Sequence, residues 1–142
     1  MPTDTIAIAE CRRLIERGER LNIVDVRTPG EFARVHARGA RLMPLDALDL
    51  AALAAGRSKA DDPIYLICQS GARAAKARQR LQEAGVTHLY CIEGGTAAWE
   101  QMGLPVERGA SKVISLERRV RIGAGLLVLL VLLGVALAWL VY

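Results

Sequence analysis

The sequence predicts an α/β fold, an open parallel sheet flanked by helices, with one transmembrane helix added at the C-terminus. Three observations lead there. Helical and strand signals alternate along most of the chain, the order that builds a parallel sheet. The run Ile64–Cys68 is almost wholly apolar, as a strand covered on both faces must be. From Ile122 to Tyr142 no residue is charged, and only Gly123, Gly125 and Gly134 fall outside the apolar set. At a helical rise of about 1.5 Å per residue that run spans a hydrocarbon core of about 30 Å.

Each element has its own warrant in the order of the chain. Residues 5–17 place Ile8, Cys11, Leu14 and Ile15 at helical spacing, with Asp4 as the expected cap and Gly18 as the stop. Asn22–Val26 reads as a short buried strand. Pro29–Ala40 reads as loop with one helical turn, and Leu42–Leu45 as an edge strand. Asp46–Ala55 is expected to form a short helix ended by Gly56. Ile64–Cys68 follows as the central strand. The helix Ala72–Ala84 then presents Ala74, Ala77, Leu81 and Ala84 on one face, small enough to lie close to the sheet. His88–Ile92 is a further strand and Thr96–Met102 the last helix of the domain, stopped by Gly103–Pro105. Residues 106–117 read as linker. The expected organisation is a domain over 1–107, a basic juxtamembrane stretch over 108–121 and a transmembrane helix over 122–142.

Charge supports that division. The chain has 142 residues, 24% of them charged and 52% hydrophobic, with a formal net charge of +4. Its mean hydropathy of +0.23 is high for a soluble domain. Lysines, arginines and acids balance over residues 1–107. The surplus comes from Arg108, Lys112, Arg118, Arg119 and Arg121 against Glu117, all in the stretch before the apolar run. Such a flank marks the cytoplasmic side of a bilayer and meets anionic headgroups. With aromatics at only 4%, no basic face backed by stacking rings exists in the domain, so nucleic acid is not an expected partner. The N-terminus lacks a basic segment followed by an apolar core, and no signal peptide is expected. Cys11, Cys68 and Cys91 form no CxxC pair, which suits a reducing compartment. His36 and His88 lack ligand spacing, so neither a metal centre nor a cofactor is expected.

The chemistry concentrates at Cys68. A buried strand delivers the thiol to its C-terminal end, Gln69, Ser70 and Gly71 make a tight loop, and a helix starts at Ala72. Ligands of open α/β sheets bind at those strand ends. Backbone amides of Gln69 to Arg73 can converge on the sulfur as an anion nest, a setting that favours thiolate. Gly71 suits a loop that must curl without a Cβ. Arg73 and Lys76 put cations in the first turns of a helix, against its dipole, which points to an anionic ligand there. A buried strand-end cysteine is the competing reading for Cys68 alone. A solvated helix face competes for Arg73 and Lys76.

These residues resemble the active-site loop of the rhodanese (sulfurtransferase) family. Asp25-Val26-Arg27-Thr28-Pro29-Gly30-Glu31-Phe32, continued by His36 and Gly39-Ala40, is similar to the family's N-terminal signature. Glu93-Gly94-Gly95 with Ala98-Trp99 is similar to its C-terminal one. Val35, Ala37 and Arg38 depart from the Gly, Ile and Pro common around that histidine. The resemblance implies a rhodanese-like sheet and a persulfide formed on Cys68. It also implies a cradle of Gln69, Ser70, Gly71, Ala72 and Arg73, with Arg73 on the anionic end of a donor such as thiosulfate. The acceptor would be cyanide or a thiol. Asp25, Arg27 and Glu31 are expected as a supporting charge cluster, more structural than catalytic, and His36 as a hydrogen-bonded supporting residue. The spacing Cys-x4-Arg makes a six-residue cradle, one shorter than in the related cell-division-cycle phosphatases, which disfavours phosphate or arsenate chemistry.

The tail after Ser115-Leu116-Glu117-Arg118-Arg119-Val120-Arg121 resembles the YgaP-type bacterial membrane rhodaneses. That implies the bacterial inner membrane, with the catalytic domain facing the cytoplasm. Those proteins carry a second transmembrane helix, so the one span expected up to Tyr142 reads either as a single-span relative or as part of a longer chain. Gly134 and Ala138 form a small-xxx-small pair through which the helix could self-associate into a homo-oligomer. A persulfide carrier that delivers sulfur to a partner or membrane protein is the alternative to a free-standing enzyme.

Overall fold

Strands buried on both faces need helices on both sides, and the structure, a computed structural model describing residues 4–109, 130–138 and 140, supplies them. Two units separate, Met1–Gly109 and Ala110–Tyr142. In the first, strands β1 (Thr5–Ile6), β2 (Ile23–Asp25), β4 (Arg41–Leu42), β5 (Ile64–Ile67) and β6 (Leu89–Ile92) form one sheet in the order β1-β6-β5-β2-β4. Every neighbouring pair in it is parallel. Strands β3 (Val35–Ala37) and β7 (Val106–Arg108) make a separate antiparallel pair. The helices are α1 (Ile8–Glu16), α2 (Pro29–Arg34), α3 (Leu50–Ala55), α4 (Ala72–Glu83) and α5 (Gly95–Gln101).

The period of two along each strand divides the core. Val24, Val26, Ile64, Leu66 and Cys68 pack with Leu53 of α3 and Ala74, Ala77 and Leu81 of α4. Ile23, Tyr65, Ile67 and Ile92 pack on the other face with Cys11 of α1 and Trp99 of α5. Ala74 and Ala77 are wholly buried, so α4 lies close against the sheet as their size requires, while Ala84 is exposed and belongs to no core. Trp99 is buried and its indole N–H donates to the Pro105 carbonyl at 2.8 Å. A buried indole must find such an acceptor.

Several sequence expectations change. Thr5 and Ile6 are a strand rather than the start of a helix, because their backbone completes the ladder against Cys91 and Ile92. Asp4 caps nothing and pairs with Arg78, while Ala7 occupies the cap position of α1. Pro29–Arg34 is a helix fixed by a capping box, in which the Thr28 hydroxyl accepts from the Glu31 amide and the Glu31 carboxylate accepts from the Thr28 amide. Residues 35–37, expected as loop, are β3. Val106–Arg108, expected as linker, is β7, and the first unit runs to Gly109. The edge strand is Arg41–Leu42, displaced from the expected Leu42–Leu45, and Leu45–Ala47 is a 3-10 turn ahead of α3, whose cap is Asp49.

In the second unit, residues 130–138 are helical, with Leu130, Val131, Leu132, Leu133, Val135 and Leu137 exposed. Among the described residues no helix is long and apolar enough to cross a membrane. Most of the expected span 122–142, and the basic stretch 110–121, lie outside the described residues.

Candidate active site

The chain leaves β2 toward β4 on one side, whereas β5 is followed by β6 on the other. The sheet therefore reverses its winding between β2 and β5, and the crevice beyond their C-terminal ends is where an open α/β sheet binds ligands. Asp25 stands opposite Ile67 at that edge, so the loops after them lie side by side.

Cys68 follows β5 directly and is 1% exposed. The Gly71 amide donates to its Sγ at 2.9 Å. Gly71 holds a φ of +117°, which a side chain would strain, and caps α4. The amides of Ser70, Ala72 and Arg73 donate to no protein acceptor among the described residues, leaving an arc of N–H groups at the start of α4. These groups suit an anion built onto the sulfur.

A second helix clamps the same loop from behind. The Cys68 carbonyl accepts from the Thr96 amide at 2.8 Å and from its hydroxyl at 3.2 Å, and the Gln69 carbonyl accepts from the Ala97 amide at 3.3 Å. Such closeness needs a glycine: a Cβ on Gly95 would fall 2.2 Å from the Cys68 carbonyl oxygen and 2.7 Å from the Gln69 carbonyl. The sequence places Gly94-Gly95 in a family-like signature but gives no sign of a role for Thr96. Nothing in a lone threonine distinguishes a buried clamp from an ordinary helix start.

The expected charge cluster of Asp25, Arg27 and Glu31 divides into two ion pairs, the second completed by Arg73 of the cradle. Asp25 and Arg27 are wholly buried, with the Arg27 Nε and Nη2 donating to both oxygens of the carboxylate at 2.9–3.1 Å. Arg27 also donates to the Val35 carbonyl at 2.6 Å and the Gln69 Oε1 at 3.3 Å, tying β2, β3 and the Cys68 loop to one guanidinium. Glu31 pairs with Arg73, whose Nη1 and Nη2 donate to its two oxygens at 2.7 and 2.9 Å. Arg73 holds the Glu31 carboxyl down at about 2, and the same pairing raises the arginine. Arg73 thus meets an internal carboxylate where a substrate anion was expected. His36 lies apart from the loop: its ring stacks on Phe32 at 3.7 Å, Nδ1 bonds the Phe32 carbonyl and Nε2 faces Glu107 on β7.

The other thiols are held as core. Burial pushes Cys11 and Cys91 up to about 11. Among the described residues no cluster of His, Cys, Asp and Glu is arranged to hold a metal. A cavity of about 430 Å³ opens between Ile15, Leu21, Arg38, Trp99 and Pro105, away from Cys68.

Residues 7–102 match the family described as Rhodanese-like domain. An uncharacterized protein of Synechocystis is 42% identical over 113 residues, covering 79% of this chain, and the chain spans 62% of that relative's length. Thiosulfate sulfurtransferase 16, chloroplastic, of Arabidopsis thaliana is 35% identical over 115 residues, covering 72% of this chain and 92% of the relative. Among solved structures, the rhodanese-like domain of an Anabaena protein superposes with a TM-score of 0.65 at 27% identity, over 77% of this chain and 82% of that one.

Proposed function

The chain belongs to the rhodanese-like domain family, and on that premise we propose that it is a membrane-anchored sulfurtransferase working through a persulfide on Cys68. The supporting observation is a thiol at a strand end whose Sγ accepts from the Gly71 amide, in a loop where the amides of Ser70, Ala72 and Arg73 have no protein acceptor among the described residues. In the first half-reaction the Cys68 thiolate attacks the outer sulfur of thiosulfate or a related donor. The S–S bond breaks, sulfite leaves with the bonding pair, and Cys68 carries a persulfide anion. In the second, cyanide or a thiolate attacks the terminal sulfur and the Cys68 thiolate is regenerated. Covalent exchange in two steps gives ping-pong kinetics.

The role of the cradle is electrostatic. Amides preorganised around the terminal sulfur stabilise its charge without reorganising during the reaction. Arg27 holds that cradle in shape through Gln69 and acts without touching the donor.

The anchor is inferred from the sequence of 122–142 and from Arg118, Arg119 and Arg121 before it, with the domain on the cytoplasmic side of a bacterial inner membrane. Exposed Leu and Val along the helical residues 130–138 are consistent with a lipid-facing surface. Retention of the chain in membranes washed with alkaline carbonate is expected, and its release into the wash would remove the anchor.

The chemistry is tested by intact mass. The full chain exposed to thiosulfate gains one sulfur, loses it to cyanide and gains none as Cys68→Ser. Absence of the adduct on folded, reduced protein removes thiosulfate as donor. A persulfide that forms but turns over only with a protein acceptor supports the carrier reading over the enzyme.

A further inference from the structure

The sulfur-transfer reading leaves the donor open, and the charges around the loop narrow it. Every cation bordering Cys68 is already matched. Arg27 is wholly buried on Asp25, the Val35 carbonyl and Gln69, which take four of its five N–H groups. Arg73 spends both terminal nitrogens on the two oxygens of Glu31. Glu31 is itself held in place by the Thr28 amide and hydroxyl, so its carboxylate is fixed by α2 and does not depend on Arg73 for its position. Asp25, Arg27, Glu31 and Arg73 sum to no net charge. One turn along α4, Lys76 is exposed and has no carboxylate partner among the described residues, but a solvated ammonium is screened and adds little.

A dianion approaching the Cys68 thiolate therefore finds backbone amides and an arginine already paired with a carboxylate, and no net positive charge to offset its second charge. A donor with one charge less meets the same amides with less repulsion. We propose that Glu31, by closing both oxygens on Arg73 beside the Cys68 loop, selects singly charged or neutral sulfane-sulfur donors, such as thiol persulfides and thiosulfonates, over the dianion thiosulfate. This rests on the sulfur-transfer reading. The steps balance in each case. With a thiosulfonate the Cys68 thiolate takes the outer sulfur, the S–S bond breaks, and a sulfinate leaves with the electron pair. With a thiol persulfide the leaving group is a thiolate.

The test compares thiosulfate with methanethiosulfonate, which presents the same sulfur on a sulfonyl group with one charge fewer. The full chain and Glu31→Gln are assayed with both. Glutamine also serves at this position of a capping box, so α2 keeps its start. Freed from its carboxylate, Arg73 can make a charge-assisted hydrogen bond to the second charge of thiosulfate. The ratio of kcat/KM for thiosulfate to that for methanethiosulfonate is expected to rise about tenfold in Glu31→Gln. An unmoved ratio in a folded variant overturns the selectivity. If the variant does not fold, inhibition of the wild-type protein by sulfate and by methanesulfonate decides: sulfate no stronger than methanesulfonate supports the closed pair, and sulfate stronger by several-fold overturns it. Failure of both donors to load Cys68 overturns the sulfur-transfer reading itself, and is read directly by mass.

Discussion

Replacing Gly95 by alanine should damage the Cys68 loop from behind without touching a charged group. The new Cβ would stand 2.2 Å from the Cys68 carbonyl oxygen, and the backbone there has a φ of +61°. Even to reach the shortest contact that a real Cβ makes, about 3.0 Å, the loop and α5 must part by about 0.8 Å. That movement lengthens the Thr96 and Ala97 hydrogen bonds to the loop. Each of these three bonds is worth about 0.5–1.5 kcal/mol and the left-handed backbone costs about 1–2 kcal/mol more, so a loss of up to about 2.5–6.5 kcal/mol is expected. In a domain of this size that lowers Tm by about 10 °C or more. A displacement approaching 1 Å at a reacting centre costs on the order of 100-fold in rate. Gly94→Ala is the control. Its Cβ would meet Ala98 on its own helix at 2.5 Å, away from Cys68, at a similar φ of +74°. Thermal melts and the rate of sulfur uptake by mass, taken below both melting points, should show both variants destabilised and only Gly95→Ala slowed. A folded Gly95→Ala protein that loads sulfur at the wild-type rate would refute the clamp.

Three other expectations follow from the charges and thiols. Arg27→Met leaves the Asp25 carboxylate buried without its partner and should cost about 3–5 kcal/mol in a denaturant titration, with much of the loss recovered in the Asp25→Leu/Arg27→Met double variant; equal stability of wild type and Arg27→Met would contradict the buried pair. Because Arg73 depresses the Glu31 carboxyl to about 2, the pair stabilises the fold above the unfolded carboxyl pKa of about 4.3 and is lost as pH falls through about 2. The Tm difference between wild type and Glu31→Gln should accordingly be present at pH 7 and shrink between about pH 5 and pH 2; a pH-independent difference counts against the pair. Finally, folded Cys68→Ser should resist iodoacetamide at pH 8, since Cys11 and Cys91 are buried and raised to about 11, and should take two labels once unfolded; rapid labelling of the folded form would show that one of them is not core.

Much of the site was legible because its parts are local in sequence. A cysteine at the end of an apolar run, a glycine, and a helix start within a few residues define Cys68 to Arg73 without tertiary information. What escaped is what the fold brings from afar. Glu31 and Arg73 lie 42 positions apart, and only the adjacency of β2 and β5 makes them partners. The cationic first turn of α4 points in sequence to an anion, but nothing local marks the carboxylate of Glu31 that the fold sets on Arg73. β1, β3 and β7 escaped for a related reason. Two or three residues carry no period, and such strands exist only because a distant strand offers hydrogen bonds. The capping box of α2 was visible as Thr28 and Glu31, but Glu31 was assigned to the charge cluster alone.

The pairing of β1 with β6 sets a schedule for the growing chain. Thr5 donates its hydroxyl to Glu93 across 88 positions, and the ladder between them cannot form until β6 exists. The bonds from Thr96 and Ala97 come later still. During synthesis Cys68 is thus made well before the residues that fix its loop, and its thiol spends that interval outside any shaped cradle. Closing so long a loop is slow relative to forming α4 locally. The Cys68 loop is among the last features of the unit to mature, and a chain broken off before Gly95 would carry the cysteine without its setting.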